Sequence, residues 1–241
     1  MFRQIYKTRL LPGAIVTNTS TSAGNHGGPA HGSGGGYLLR YEGVMKRVAD
    51  VVLAVLLLPM LLPIIGILYV IIRADGGPGF FGHKRVGRDG KMFKCWKLRS
   101  MVTDAEVRLK EHLAANPEAA AEWARDFKLR DDPRITRLGA FIRKTSLDEL
   151  PQIWNVLRGE MSLVGPRPVT SDELARYGAQ QWAYLAMRPG VTGLWQVSGR
   201  NDISYDERVA LDARYCREVS ALKDAIILFS TIGAITKRTG V

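Results

Sequence analysis

The stretch RKTSLDELPQIWNVL, residues 143–157, carries two adjacent carboxylates, Asp148 and Glu149, just before a predicted helix. The helix is indicated by apolar residues at the i, i+3, i+4 and i+7 spacing of one helix face, namely Leu150, Ile153, Trp154 and Leu157. Its first residue stays open: Ser146 and Glu149 have the spacing of a capping box, whereas Asp148 as N-cap puts Pro151 in the first turn. In both cases the carboxylates lie at the positive end of the helix dipole, which stabilises ionised Asp148 and favours phosphate.

Two interpretations of the carboxylate pair remain open on this stretch alone. The simpler one is that Asp148 and Glu149 only cap the helix. The other is catalytic. Neighbouring residues on a helix project about 100° apart, so one carboxylate would react and the other would support it. The rest of the chain has to decide between the two.

The composition of the chain favours an anionic partner. The 241 residues carry a formal net charge of +11, and 46% of them are hydrophobic, which is enough for one substantial core. Such a charge favours nucleic acid, acidic lipid or a phosphorylated substrate. The cysteines, Cys95 and Cys216, lie far apart, which argues against a zinc site or a disulfide framework. Residues 1–40, rich in glycine, serine and threonine, are predicted to form a disordered tail.

Residues 51–72 are uncharged and apolar over a length that meets the ~20-residue criterion for a bilayer-crossing helix. Two features complicate this interpretation. Pro59 and Pro63 lie within the segment, and basic residues flank both of its ends, so the positive-inside rule gives no orientation. Both features fit a segment that enters the membrane, turns at Pro63 and returns to the same face. From the residues alone, a spanning helix and a re-entrant one both stay open.

Arginines and lysines recur at positions suited to bind phosphate. Three interpretations stay open for the stretch 84–99, which contains Lys97 and Arg99. It binds anionic lipid headgroups, it guides a phosphate into a binding site, or it is a solvated basic hairpin without a ligand. Farther on, three arginines stand on turns stiffened by glycine or proline, and together with Arg143 they indicate a diphosphate site; they are Arg167, Arg188 and Arg200. Taken singly, each is an ordinary surface residue in a turn.

The remaining pattern predicts a mixed α/β fold dominated by helices, with a small sheet. Residues 161–164 indicate a short buried strand, and the residues from 205 onward indicate helices, the last of them amphipathic. That last helix either lies in the membrane interface or packs against the domain. We therefore divide the chain into a tail (1–40), a membrane helix (41–75) and a catalytic domain (76–241).

Several sequence blocks, found in one order, resemble the bacterial sugar transferases, that is, the monotopic polyprenyl-phosphate phosphoglycosyl transferases. The resemblance extends from Lys46 to the C-terminus, and its blocks are GHKRVG (82–87), FKCWKLRSM (93–101), SLDELPQ (146–152), GEMSLVGPRP (159–168), RPGVTG (188–193) and QVSGRN (196–201). Within that family, the chain is most similar to the exopolysaccharide-production transferases of the succinoglycan type.

The resemblance implies an enzyme that moves a hexose 1-phosphate from a UDP-sugar to undecaprenyl phosphate and releases UMP, the first step of exopolysaccharide repeat-unit assembly. Galactose 1-phosphate is favoured and UDP-glucose is the alternative donor, since sugar choice depends on a few contacts to a hydroxyl. Asp148 would be the nucleophile that forms a covalent phosphosugar intermediate, Glu149 its partner, and Mg²⁺ would bind at these two carboxylates. The substrate would be held by Arg143, Arg167, Arg188, Arg200, Gln196, Lys97 and Arg99.

The resemblance also implies a monotopic protein on the cytoplasmic face of the bacterial inner membrane. Its membrane segment would be a re-entrant helix–break–helix, and a small cytoplasmic catalytic domain would rest on lipid through interfacial amphipathic helices. The family commonly has Ser-Pro at the turn; here Leu62 precedes Pro63, so the break would depend on Pro63 with help from Pro59. Membrane lipids are expected partners, nucleic acid is not, and a homodimer stays open.

Two functions of other classes compete with this one. A membrane-tethered nucleic-acid binder is suggested by basic residues interleaved with aromatic ones, and its RNA binding would survive Asp148→Ala. A non-catalytic scaffold that recruits polysaccharide machinery would still complement as Asp148→Asn. Neither function explains why a carboxylate pair accompanies arginines on stiff turns.

Overall fold

The computed structural model describes residues 41, 43–126, 129–199 and 203–236; the predicted tail at residues 1–40 and Arg200 lie outside the described residues. Helices dominate this part of the chain, which confirms the predicted mixed α/β class. The helices are α1 (Val44–Arg73), α2 (Ala105–Ala115), α3 (Pro117–Asp126), α4 (Arg137–Lys144), α5 (Gln152–Arg158), α6 (Ser171–Ala175), α7 (Gln181–Leu185), α8 (Leu194–Ser198), α9 (Tyr205–Glu218) and α10 (Ala221–Thr236). Short 3₁₀ turns occupy Arg88–Gly90, Leu147–Glu149 and Gly178–Gln180. The strands are β1 (Phe80–Val86), β2 (Met92–Leu98), β3 (Ser162–Val164) and β4 (Gly190–Thr192).

The apolar segment forms α1, which continues without interruption for 30 residues. Pro59 and Pro63 both lie inside it, so the helix continues past both prolines, and the predicted turn at Pro63 stays a prediction. The physical reason is that each proline removes one N–H donor, while the apolar residues on both sides continue the helix. By length and composition, α1 is long and apolar enough to cross a membrane. Its path through a bilayer stays a prediction.

One side of α1 is buried along its whole length. The buried residues recur at intervals of three, four or seven and therefore share one side; they are Lys46, Asp50, Ala54, Leu61, Ile65, Leu68 and Ile72. The other sides expose large apolar side chains, including Leu56 at 69%, Ile67 at 62% and Val70 at 68% exposure. Soluble surfaces rarely expose so much contiguous apolar area, so these sides are suited to contact lipid.

Buried charges anchor the start of α1. Lys46 Nζ donates to Asp224 of α10 at 2.5 Å, and the Tyr215 hydroxyl donates to the other oxygen of that carboxylate at 2.5 Å. One turn farther on, Asp50 Oδ1 accepts from the Ser162 hydroxyl at 3.0 Å and from the backbone N–H of Leu163 at 2.9 Å. These contacts give each buried charge a partner, as burial away from water requires.

Arg99 holds the end of α1. Its buried guanidinium donates to the carbonyl of Ile72 at 2.9 Å and pairs with the carboxylate of Asp75. The last carbonyls of a helix have no partner within the helix and carry partial negative charge, so a cation at this end is favourable. Both ends of α1 are therefore bound to the same domain by polar contacts.

The strands pair two by two in the described part of the chain. β1 and β2 form an antiparallel hairpin, and β3 pairs with β4 in parallel. The second pair needs a close backbone approach: a Cβ on Gly190 would lie 2.1 Å from the backbone nitrogen of Gly165. Glycine is therefore required where the segment after β3 meets the start of β4.

The side chain of Asn155 joins α5 to the outer edge of β2. Its Oδ1 accepts from the N–H of Trp96 at 3.0 Å, and its Nδ2 donates to the carbonyl of Lys94 at 2.7 Å. Asn155 is fully buried, and the apolar face of α5 continues the core around it through Ile153 and Val156. The orientation of α5, and of the turn that precedes it, therefore depends on this amide.

The last helix of the sequence analysis is α10, and its two sides differ. One side packs against the domain and the other is suited to a membrane interface, so both interpretations describe part of its surface. Asp224 and Ile227 are buried against the domain, at 5% and 1% exposure. The opposite side exposes Leu222 at 73%, Ile226 at 56%, Phe229 at 75% and Ile232 at 63%. α10 thus packs against the domain with one side and presents an apolar stripe with the other, as an interfacial helix does.

We expect Asn155→Ala to lower stability by about 1–3 kcal/mol, because it leaves the backbone N–H of Trp96 and the carbonyl of Lys94 without their partner. The measurement is the midpoint of thermal unfolding of the detergent-purified chain. Arg158→Ala, on the same helix with a side chain 56% exposed, is the matched control and should stay within about 0.5 kcal/mol of the parent. Equal midpoints for both variants would contradict the role assigned to the amide.

Candidate active site

The carboxylate pair lies in a 3₁₀ turn between two helices, and neither predicted helix start is correct. α4 ends at Lys144, Leu147–Glu149 forms the turn, and α5 begins only at Gln152 with Pro151 as its N-cap. Ser146 makes no side-chain capping bond; instead it adopts a left-handed conformation with φ 58°, which interrupts the helical path between α4 and the turn. A non-glycine residue in this conformation is uncommon and costs energy. The two carboxylates therefore lie in a short turn of their own and not in the first turn of α5.

α4 places Arg143 beside the carboxylates. The start of the helix is capped by Thr136, whose hydroxyl accepts from the N–H of Gly139 at 2.8 Å. A Cβ on Gly139 would lie 1.9 Å from the carbonyl oxygen of Ser100, so glycine allows α4 to lie directly on that backbone. At the far end of α4, Arg143 Nε donates to the Ser100 hydroxyl at 2.8 Å.

Lys97 of β2 distinguishes the two carboxylates. Its Nζ lies 2.6 Å from Glu149 Oε1 and 3.8 Å from Asp148 Oδ2. The first distance is a charge-assisted hydrogen bond, whereas the second is only an ion pair. Glu149 is therefore bound to Lys97 through one oxygen, whereas Asp148 makes only the longer contact. That one carboxylate reacts and the other supports it stays a prediction.

The pKa values of Asp148, Glu149 and Lys97 are shifted in different directions: those of Asp148 and Lys97 are raised, and that of Glu149 is lowered. Burial raises the pKa of Asp148 to about 6, with Lys97 and Arg143 lowering it and Glu149 adding to the rise. Burial also acts to raise the pKa of Glu149, but the charge and hydrogen bond of Lys97 outweigh it and hold that pKa below its ordinary value. For Lys97, burial opposes the charge, yet Glu149 and Asp148 raise its pKa overall. At neutral pH the site thus contains two carboxylates and one ammonium group.

Two arginines extend this positive environment. After Lys97, Arg167 and Arg85 are the cations that lower the pKa of Glu149. Arg85 Nη1 is held by Glu173 at 2.7 Å, and the guanidinium of Arg167 stacks over the Trp195 ring at 5.6 Å. Forked guanidiniums with fixed orientations are suited to bind phosphate oxygens. The arrangement therefore places two forked donors in the electrostatic environment of the carboxylate pair.

Not all of the predicted binding residues meet here. The structure brings together Asp148, Glu149, Lys97, Arg143 and Arg167. Arg99 is used at the end of α1, which differs from its predicted role in binding substrate. Arg188 lies beyond the C-terminal end of α5, where its Nε donates to the carbonyl of Gly159 at 2.9 Å. Gln196 donates to the carbonyl of Val191 at 3.2 Å.

Arg85 and Glu173 belong to the site although they were not among the predicted site residues. Arg85 is part of the basic stretch and of the GHKRVG block, so a signal was present. What the sequence does not reveal is the strand pairing that brings Arg85 close to Glu149. Glu173 forms a capping box with Thr170 at the start of α6, which fixes the carboxylate that holds Arg85.

The donor set of the site fits Mg²⁺ if a substrate completes it. Among the described residues there is no group of three or more Asp, Glu, His or Cys side chains that could hold a metal ion by itself. Asp148 and Glu149 nevertheless supply two neighbouring carboxylates. Mg²⁺ is commonly bound through one or two carboxylates together with phosphate oxygens and water.

Comparison with known proteins gives consistent matches. The family model described as "Bacterial sugar transferase" matches residues 41–238. The UDP-galactose-lipid carrier transferase of Erwinia amylovora is 56% identical over 81% of this chain and 41% of its own length, and the undecaprenyl-phosphate galactose phosphotransferase of Salmonella typhimurium is 53% identical over the same shares. The chain thus spans about two fifths of the length of these two relatives.

A third relative is matched over most of its own length. The exopolysaccharide production protein ExoY of Sinorhizobium fredii is 48% identical over 82% of this chain and 88% of the relative. Together with the family match over residues 41–238, this similarity shows that the chain belongs to the bacterial sugar transferase family.

Proposed function

We propose that this chain is a phosphoglycosyl transferase that moves a hexose 1-phosphate from a UDP-sugar to undecaprenyl phosphate and releases UMP. The observation that carries the proposal is the pairing of Lys97 with Glu149, which leaves Asp148 without a close hydrogen bond to that lysine and near Arg143, while Arg85 and Arg167 act on Glu149. Family membership supports the reaction class. The names of the Erwinia and Salmonella relatives specify galactose, so UDP-galactose is the favoured donor and UDP-glucose the alternative.

The reaction takes place in two displacements at one phosphorus atom. In the first, an oxygen of ionised Asp148 attacks the phosphorus that carries the sugar, the bond to the bridging oxygen breaks, and UMP leaves with that oxygen. The product is an acyl phosphate that links Asp148 to the sugar. In the second, a phosphate oxygen of undecaprenyl phosphate attacks the same phosphorus and releases the carboxylate of Asp148. The lipid then carries a diphosphate-linked sugar.

The surrounding residues supply positive charge and position. An ionised Asp148 needs no general base, so the demand on the site is to reduce repulsion between the carboxylate and the phosphates. Arg143, Arg85 and Arg167 lie where they can withdraw charge from the phosphate oxygens. Lys97 keeps Glu149 ionised and oriented. Bound Mg²⁺, held by Asp148 and Glu149, would neutralise part of the diphosphate charge.

The chain is proposed to be monotopic, on the cytoplasmic face of the bacterial inner membrane. Lys46 near the start of α1 and Arg99 at its end both make buried polar contacts with one domain. A helix that crossed the ~30 Å hydrocarbon layer would place these contacts on opposite faces of the membrane. A re-entrant α1, bent at the prolines that it contains, would keep both ends on one face, and the apolar stripe of α10 would then rest on the same lipid surface.

We expect intact-protein mass measurement to detect a phosphosugar adduct when the detergent-purified chain is incubated with Mg²⁺ and UDP-galactose in the absence of lipid acceptor. Asp148→Asn should carry no adduct and should lose about a thousandfold or more in turnover, because the amide is a poor nucleophile. Parallel incubations with UDP-glucose and with EDTA test the sugar and the metal. UMP release by Asp148→Asn at the parent rate would rule out Asp148 as nucleophile, and full activity in EDTA would eliminate Mg²⁺.

The pH profile should report the ionisation of Asp148. Only the carboxylate reacts, and its pKa is raised to about 6, so turnover should fall as pH drops through that value. Lys97→Met removes the nearest cation that lowers this pKa, so the loss should begin at higher pH and the rate at pH 6 should fall severalfold relative to that at pH 8. Lys94→Met, an exposed lysine on the same strand, is the control and should keep the parent profile. An unshifted profile in Lys97→Met would contradict this role.

The membrane path can be tested with single cysteines at the two exposed helix ends, Met45→Cys and Ala74→Cys. A membrane-impermeant maleimide should label neither variant in intact spheroplasts and both after permeabilisation, with the parent chain as the background control. Labelling of either end in intact spheroplasts would establish a spanning helix.

A further inference from the structure

A cavity of about 50 Å³ lies at the start of α1, and cations dominate its charged lining. Lys46, Arg88 and Arg188 line it together with one carboxylate, Asp50. One water molecule needs about 10–15 Å³ of such space, so the cavity has room for roughly four oxygen-sized groups. This is the size of a phosphate group.

The cavity is separate from the active site. Arg188 Nε donates to the carbonyl of Gly159, the residue that ends α5, whereas Asp148 precedes the start of the same helix. Neither Asp148 nor Lys97 lines the cavity. The two sites therefore lie at opposite ends of α5.

The arginines of the cavity have unmet hydrogen-bonding capacity. Arg88 Nε is buried and has no hydrogen-bond partner among the described residues; its nearest carboxylate, Asp89, is 3.6 Å away. For Arg188, only the Nε bond to Gly159 is formed in the described part of the chain, so its terminal nitrogens remain available. Burial lowers the pKa of Arg188, and the nearby positive charges of Arg88 and Arg47 lower it further. Cations that repel one another across a cavity favour an anion between them.

The other two charged groups that line the cavity, Lys46 and Asp50, already have partners within the protein. Lys46 is paired with Asp224, and Oδ1 of Asp50 accepts from the Ser162 hydroxyl and the Leu163 N–H. Asp50 is therefore the one lining group that opposes an anion, and its charge is partly compensated by these two donors. Arg88 and Arg188 are the groups with donors to spare.

We propose that this cavity binds a phosphate group, held by the guanidiniums of Arg88 and Arg188. Forked donors of this kind match the oxygens of a phosphate monoester or diester. The cavity adjoins the first turns of α1, next to the exposed apolar surface of that helix. An anionic lipid headgroup and free phosphate share this chemistry, and the test distinguishes them. The proposal concerns binding and stands independently of the transferase activity.

Native mass spectrometry of the detergent-purified full chain, with phosphatidylglycerol or phosphatidylcholine added, measures headgroup binding directly. The parent chain should retain one phosphatidylglycerol in preference to phosphatidylcholine, and Arg88→Gln should weaken that retention about tenfold, the effect of losing a charged hydrogen bond. Arg158→Gln removes the same charge from a side chain that is 56% exposed and outside the cavity, so it should bind as the parent does. A second experiment tests free phosphate. It measures how far sodium phosphate raises the midpoint of thermal unfolding of the same variants, compared with sodium chloride at equal ionic strength.

Asp50→Asn gives an effect of the opposite sign, which a folding defect cannot imitate. The amide oxygen can still accept from Ser162 and Leu163, while the opposing negative charge is removed. Binding should therefore tighten severalfold.

The two assays distinguish the ligand. Selective loss of phosphatidylglycerol binding in Arg88→Gln assigns a lipid headgroup; loss of the phosphate-dependent stabilisation alone assigns free phosphate. If Arg88→Gln changes neither measurement, or if Asp50→Asn weakens binding, the proposal is overturned.

Discussion

The ionic contacts at both ends of an apolar helix are the constraint on which the rest of this structure depends. Lys46 and Asp224 have side chains only 8% and 7% exposed, and breaking such a buried pair from one side costs about 3–5 kcal/mol. Arg99 is similarly buried at the other end. Because both contacts reach one domain, the helix cannot separate from it, and its buried side forms a wall of the core. α5 packs against that wall, so the carboxylates that precede α5 are positioned by α1.

The site itself depends on a second electrostatic choice, made by Lys97. Two adjacent carboxylates would repel each other and raise each other's pKa, as Glu149 does to Asp148. By bonding Glu149, the ammonium group removes most of this conflict and leaves Asp148 only partly neutralised. A carboxylate such as Asp148, whose pKa is raised to about 6, is still mostly ionised at pH 7 and is more basic than an ordinary aspartate. Asymmetry between chemically similar groups is thus produced by one lysine on a neighbouring strand.

Much of this arrangement is predictable from the sequence, and the exceptions share a physical cause. The period of Leu150, Ile153 and Leu157 predicts α5, and the adjacency of Asp148 and Glu149 predicts that the two carboxylates differ in their surroundings, as their contacts with Lys97 do. The helix start is mispredicted because Ser146 adopts a positive φ, which its sequence context does not indicate. An arginine offers the same hydrogen-bond donors wherever it lies, so the sequence does not reveal which groups Arg99 and Arg188 contact. The tertiary structure places Arg99 at the end of α1 and Arg188 beyond the end of α5. Asn155 gives no sequence signal, since a buried amide depends on the backbone groups that meet it.

The amide of Asn155 also has a consequence for how copies of this protein behave at high concentration. A hairpin of two strands leaves each outer edge able to recruit a strand from another molecule, a common route to aggregation. On β2 the N–H of Trp96 and the carbonyl of Lys94 are already satisfied by a side chain that cannot extend into a ladder. The same hydrogen bonds that orient α5 thereby block strand addition at the middle of β2 and so disfavour edge-to-edge association of two copies.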